Sequence, residues 1–213
     1  MLGANDGILS TASLVLGVAA SGAAGAAIVT AGIAGLVAGA LSMAAGEYVS
    51  VSSQRDAEEA DIRLEERGLR RDPVGELLEL AGIYERRGLP PELAREVART
   101  LSLSRSGALE AHTRDELGLD EQRLARPVQA AWTSALSFSA GAGLPLLAVA
   151  AAPAAARVGA TVVVTFIALA LLGGLGARLG GAPRRPATIR VVAWGAAAMA
   201  ITAGIGALVG TVA

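Results

Sequence analysis

Apolar residues dominate both ends of this chain, and one polar stretch separates them. A turn is expected at residues 21–25, because residues 7–49 are too long for a single membrane crossing. Each run can span a hydrocarbon core of about 30 Å, since a helix rises about 1.5 Å per residue. The pattern predicts an all-α integral membrane protein with five transmembrane helices. The apolar runs cover residues 7–27, 28–49, 128–152, 158–177 and 189–211.

The polar stretch, residues 53–126, has the pattern of a small helical domain. Helices are expected over 54–67, over 73–87, from the prolines at 90–91 onward, and over 107–117. The second of these has an apolar face, formed by Leu77, Leu78, Leu80, Ile83 and Tyr84. The predicted organisation is therefore two transmembrane helices in 1–52, a helical insert in 53–126, and three transmembrane helices in 127–213.

Charge is concentrated in the insert. Of the 19 acidic residues 17 lie between Asp56 and Glu121, and of the 18 arginines 13 lie between Arg55 and Arg126. The net charge is only -1, and no uncompensated basic surface is evident, which argues against a nucleic-acid partner. The chain has no cysteine, so thiol chemistry and zinc–thiolate sites are excluded.

The arginine distribution also predicts orientation. Besides the insert, the connector between the last two spans is basic, whereas the first turn has no arginine and the third connector has only Arg157. Arginines favour the cytoplasmic side. We therefore expect the insert and the N-terminus in the cytoplasm and the C-terminus outside, which in a bacterium means a multi-pass protein of the plasma membrane. The basic connector contains Arg178, Arg184, Arg185 and Arg190.

Two acidic residues, Asp6 and Glu47, lie in or beside the apolar runs. Asp6 suits either a membrane metal site or a helix N-cap among the headgroups, and Glu47 suits either a metal ligand or an interfacial residue. Met43 precedes Glu47 by four residues and shares its helix face, although methionine is also a common core residue. A thioether combined with carboxylates suits Fe²⁺ better than Mg²⁺ or Ca²⁺.

The insert offers more candidate metal ligands at helical spacing. Its three acidic faces would converge on ions such as Fe²⁺, Mn²⁺, Co²⁺ or Zn²⁺ if the helices packed together. The alternative is a set of solvated faces, neutralised by nearby arginines such as Arg63, Arg67, Arg70 and Arg71. The candidate ligands are Glu58, Asp61 and Glu65, then Glu76 and Glu79, and finally Glu110, His112 and Glu116.

Three strings resemble the vacuolar iron transporter family: GANDG at 3–7, ALSMAAGEY at 40–48 and DELGL at 115–119. The order of two spans, an acidic insert and three spans is similar as well, so the resemblance covers essentially the whole chain. It implies a homodimer of five-span protomers that exchanges Fe²⁺ or Mn²⁺ for protons. It also implies a longer segment before Asp6 than the five residues present here.

The resemblance further implies roles for individual residues. Asp6 and Met43 would line the translocation path, and glutamates of the insert would bind several metal ions. This chain departs from the family pattern at Gly35, where some members have an acid, and near Gly68, where a glutamate is expected. His112 and Thr113 stand where some members have Met and Glu. The implied glutamates are Glu65, Glu76, Glu79 and Glu116.

These observations predict a proton-coupled transporter that moves a divalent metal out of the cytoplasm and is not an enzyme. One alternative is a membrane-anchored carboxylate ferroxidase, which would have no use for Asp6 or Met43 and lacks a repeated Glu-x-x-His. The other is a metal-sensing or docking protein whose insert binds a partner. In each case we expect the apolar helices to contact membrane lipid.

Overall fold

The computed structural model describes residues 1–119 and 124–212, and within them every regular element is helical. Five helices are long and apolar enough to cross a membrane, which confirms the predicted count. These are Leu2–Ala20, Gly25–Arg71, Pro127–Ala151, Ala154–Leu179 and Arg184–Gly210. The helices are α1 Leu2–Ala20, α2 Gly25–Arg71, α3 Pro73–Arg86, α4 Pro91–Leu101, α5 Arg105–Asp115, α6 Pro127–Ala151, α7 Arg157–Leu179 and α8 Arg184–Gly210.

The chain forms two compact units. The membrane unit comprises Met1–Glu47 and Val128–Ala213, and the insert unit comprises Tyr48–Pro127. Helix α2 contributes residues to both, because its apolar first half belongs to the membrane unit and its charged second half to the insert unit.

The predicted break between the second span and the first insert helix is wrong. The 47 residues of α2 form one uninterrupted helix. Residues 48–53 contain neither glycine nor proline, so the change to polar residues marks the end of the apolar segment and not the end of the helix. The helix ends before Pro73, where Asp72 leaves the helical conformation and accepts a hydrogen bond from the Gly75 N–H at 2.9 Å.

Helix α1 packs closely against two neighbours in the membrane unit. A Cβ atom at Gly7 would overlap the Phe138 carbonyl of α6, and one at Gly206 of α8 would overlap the Gly17 carbonyl. Such contacts bring helix backbones together, which is the usual role of small residues in membrane helices.

The insert unit has a small core between α3, α4 and α5. It contains Leu80, Ala81, Ile83, Ala98 and Ala111, with Leu77 and Tyr84 packed against it. The predicted apolar face of α3 is therefore confirmed except at Leu78, which is exposed. Leu78 directly follows Leu77, and successive residues of a helix point about 100° apart.

Candidate metal-binding sites

Asp6 and Met43 line the same cavity in the membrane unit. The cavity has a volume of about 200 Å³ and lies among α1, α2 and α6. The lining residues of α1 and of α2 recur at intervals of about three or four positions, so each helix turns one face toward the cavity. The lining residues are Asp6, Ser10, Thr11 and Leu14 of α1, Gly35, Gly39, Ser42 and Met43 of α2, and Phe138 of α6.

Two glycines of α2 give the cavity its shape. A Cβ atom at Gly35 would overlap the Leu14 side chain, and one at Gly39 would overlap the Phe138 ring. Leu14 therefore fills the space that a side chain at Gly35 would need. Asp6 is consequently the one carboxylate among the lining residues.

The chemistry of this cavity is a carboxylate, a thioether and hydroxyls. Asp6 is not the N-cap of α1, since the helix already begins at Leu2. The Ser10 hydroxyl donates to the Asp6 carbonyl oxygen at 2.6 Å, whereas the buried Thr11 hydroxyl has no hydrogen-bond partner in the described part of the chain. Glu47 is exposed and is not among the lining residues.

A second cluster of potential ligands surrounds His112 in the insert unit. The imidazole is completely buried, and its Nδ1 lies 2.9 Å from Glu65 Oε1, 3.1 Å from Glu116 Oε2 and 3.8 Å from Glu76 Oε2. Ligand atoms of Glu65, His112 and Glu116 all lie within 4.8 Å of one another. One nitrogen and several carboxylate oxygens at this spacing form a suitable donor set for a divalent transition metal.

Three helices bring these residues together. Glu65 comes from the charged half of α2, Glu76 from the first turn of α3, and His112 from α5. Glu116 directly follows α5, where its N–H still donates to the His112 carbonyl at 2.9 Å. The i, i+4 spacing of His112 and Glu116 was visible in the sequence, but their proximity to Glu65 and Glu76 depends on tertiary packing.

Asp115 attaches the end of α5 to α3. Its carboxylate accepts hydrogen bonds from the Tyr84 hydroxyl at 2.8 Å, from Arg87 at 2.6 Å and from Arg114 at 3.0 Å. Burial alone would raise the pKa of Asp115, but these hydrogen bonds outweigh it and lower the pKa to about 2. Sequence reasoning missed this network, although Asp115 adjoins Glu116 in the DELGL string.

Glu65 is the electrostatically unusual member of the His112 cluster. Burial and the nearby charge of Glu116 raise its pKa to about 7, with smaller contributions from Glu76 and Glu79, while His112 acts in the opposite direction. The His112 Nε2 atom is buried and has no hydrogen-bond partner among the described residues. A cation at this cluster would relieve the repulsion among its carboxylates.

The remaining predicted ligands of the insert lie elsewhere. Glu58 accepts hydrogen bonds from the Ala125 N–H at 3.1 Å and from Gln54 at 2.8 Å. Asp61 and Glu79 are exposed. The Glu110 side chain is 74% exposed and 3.8 Å from Arg114, which is consistent with a solvated surface pair.

The five apolar helices, the Asp6 cavity of the membrane unit and the His112 cluster of the insert unit define a multi-pass membrane protein with ligands suited to metal ions. The model of the VIT family matches residues 1–207, and the chain belongs to this family. It is 45% identical to a vacuolar iron transporter of Acanthamoeba castellanii over 98% of this chain and 76% of that protein. It is 37% identical to vacuolar iron transporter homolog 2 of Arabidopsis thaliana over 99% of this chain and 82% of that protein. It is also 40% identical to vacuolar iron transporter homolog 5 of Oryza sativa, over 96% and 76% of the two chains.

Proposed function

We propose that the protein transports divalent transition metals, with Fe²⁺ as its main substrate and Mn²⁺ as a second one, and that it does so in exchange for protons. The observation that carries this proposal is that Asp6 and Met43, which belong to two different membrane-spanning helices, line the same cavity. A charged side chain in such a helix is costly to insert and usually serves an ion pathway. The names of the relatives, vacuolar iron transporters, support the choice of iron.

Proton coupling follows from competition at Asp6. A carboxyl group must be ionised to bind a metal ion, so a metal ion and a proton compete for it. Metal and proton therefore exclude each other at the same oxygen atoms. Met43 adds a soft sulfur ligand, which favours Fe²⁺ over the harder Mg²⁺ and Ca²⁺. Glu47, exposed at the end of the apolar half of α2, adds an acidic group on the side of the membrane that the insert occupies.

The insert gathers the substrate. Its His112 cluster binds the ion, and its excess of acidic groups raises the cation concentration on the side of the membrane that the insert occupies. Arginine placement favours the cytoplasm for that side, so we propose that transport runs outward and serves detoxification or storage. A homodimer, implied by the family resemblance, is the assembly we propose.

A flux measurement tests this function against the two alternatives. The full chain is reconstituted into liposomes that contain a metal-sensitive dye and a pH dye, and Fe²⁺ or Mn²⁺ is added outside. A transporter produces metal flux with opposing proton movement. A ferroxidase produces Fe³⁺ and consumes oxygen without flux, and a docking protein produces neither. Either of the latter results contradicts the proposal.

A further inference from the structure

A second cavity of the membrane unit lies at the far end of α1 from Asp6. It has a volume of about 240 Å³ and is formed by the end of α1, the start of α2, the end of α6 and the start of α7. Most of its walls are apolar, for example at Val15, Ile28 and Val149. One charged side chain, Arg157 at the first position of α7, also lines it.

Arg157 has no acidic partner in this unit. Its Nε atom is buried without a hydrogen-bond acceptor in the described residues, and none of their carboxylates forms an ion pair with it. The membrane unit contains only two acids, Asp6 and Glu47. Asp6 is separated from Val15 by about 14 Å of helix at 1.5 Å per residue, and Glu47 from Gly25 by about 33 Å.

The Arg157 side chain is half-buried, and its buried Nε–H is unfavourable without an acceptor, because burying a polar or ionised group costs free energy unless the group is paired. Arginine stays protonated at any physiological pH, so it cannot escape this cost by losing its charge. An anion from outside the chain is therefore the expected partner of Arg157.

The position of the cavity indicates the source of that anion. Four helix termini meet there, at Ala20, Gly25, Ala151 and Arg157. Termini of membrane-spanning helices lie where the hydrocarbon core gives way to the lipid headgroups. A phospholipid offers phosphate at this depth, attached to acyl chains that can enter an apolar cavity.

We propose that this cavity binds one membrane phospholipid, with its phosphate against the Arg157 guanidinium and part of an acyl chain along Ile28 and Val149. The fork of guanidinium N–H groups matches two phosphate oxygens. Gly25 makes room for this arrangement, because a Cβ atom there would overlap Arg157 Nη1. Inorganic phosphate shares the headgroup chemistry but leaves the apolar wall uncovered.

Lipid titration of the full-length protein tests the proposal. The protein is purified in a maltoside detergent and titrated with phosphatidylglycerol, and bound lipid is counted by native mass spectrometry while the melting temperature is followed. We expect one saturable lipid per chain at this site. R157Q should weaken that binding by about tenfold or more, the factor that corresponds to loss of hydrogen bonds to a charged group.

Two further variants keep the test independent of folding defects. G25A retains the arginine but displaces its flexible end, so it should weaken lipid binding without lowering the melting temperature in lipid-free detergent. R178Q removes an exposed arginine near the other end of α7 and should bind lipid as the original protein does. Equal lipid binding by all three variants would overturn the proposal, as would the same stabilisation by inorganic phosphate alone. Neither result bears on metal transport.

Discussion

Nδ1 of His112 lies 2.9 Å from Oε1 of Glu65, although one residue belongs to α5 and the other to α2. The imidazole is completely buried, and Glu116 and Glu76 approach the same nitrogen. Three separate helices therefore direct their ligands to one point of the insert unit.

The first prediction concerns this imidazole as a ligand. H112Q should weaken Co²⁺ binding to the full-length protein by at least about tenfold, because it removes the only nitrogen ligand of the cluster. Co²⁺ absorbance in detergent measures the affinity. E110Q is the matched control on the same helix, since the Glu110 side chain is 74% exposed and lies outside the cluster. Equal affinities of H112Q and E110Q would contradict the assignment.

The second prediction concerns pH. The pKa of Glu65 is raised to about 7, so below that pH the folded protein holds a proton that a metal ion must displace. Co²⁺ affinity should fall by up to about tenfold for each pH unit below 7 and level off above it. Without metal, the stability of the folded insert changes with pH in the opposite direction to the metal affinity. Between the ordinary value of 4.5 and about 7 the folded state binds the extra proton, so the insert loses stability as pH rises.

E65Q checks the origin of that pH dependence. The substitution removes the titrating group, so binding should be weaker at every pH and its slope between pH 5.5 and about 7 should be shallower. An unchanged slope in E65Q would assign the proton to another group of the cluster.

The third prediction concerns the attachment of α5 to α3. D115N should destabilise the insert unit by about 1–3 kcal/mol, because it removes an ionised acceptor of three hydrogen bonds. Amide exchange in α3 and α5 should accelerate. The pKa of Asp115 is lowered to about 2, so its stabilising effect is present above the ordinary 3.8 and is lost as pH falls from there toward 2.

E92Q is the control for that experiment. Glu92 belongs to α4, is 91% exposed and is 3.5 Å from Arg95, so its removal should leave amide exchange unchanged. If D115N exchanged no faster than E92Q, the Asp115 network would not hold α5 in place.

The fourth prediction concerns helix packing in the membrane unit. G206A should lower the melting temperature, because its Cβ would overlap backbone atoms of Gly17 and force α8 away from α1. G204A on the same helix should be neutral or slightly stabilising, since a Cβ there meets no atom within 4 Å and alanine is the better helix former. Identical melting temperatures would show that this close approach does not stabilise the unit.

Much of the fold could be predicted from the sequence because the apolar runs are long and nearly free of charge. The helix boundaries near Pro73 and Pro91 were also predictable, since proline fits the first turn of a helix. The continuity of α2 through residues 48–53 was not predicted. The sequence changes there from apolar to polar, but no glycine or proline marks whether the helix stops or continues.

The candidate sites were less accessible to sequence reasoning. The spacing of His112 and Glu116 predicted their contact. Glu110 lies only two residues before His112, so it points to a different face of the helix and its side chain is outside the cluster. That Ser10 and Thr11 join Asp6 in lining one cavity depends on how α1 faces α2, which no local pattern specifies. Likewise, the proximity of Glu65 to His112 results from the packing of separate helices.

The central claim is that Asp6 binds the transported ion and exchanges it for a proton. The most direct test is the initial rate of Fe²⁺ flux, with simultaneous proton movement, in liposomes that contain D6N. Asn keeps the size of the side chain but provides neither a charge nor a titrating group. D56N, which changes an exposed aspartate of the insert unit, is the control. We predict that D6N loses both fluxes while D56N retains them, whereas normal coupled flux in D6N would contradict the account.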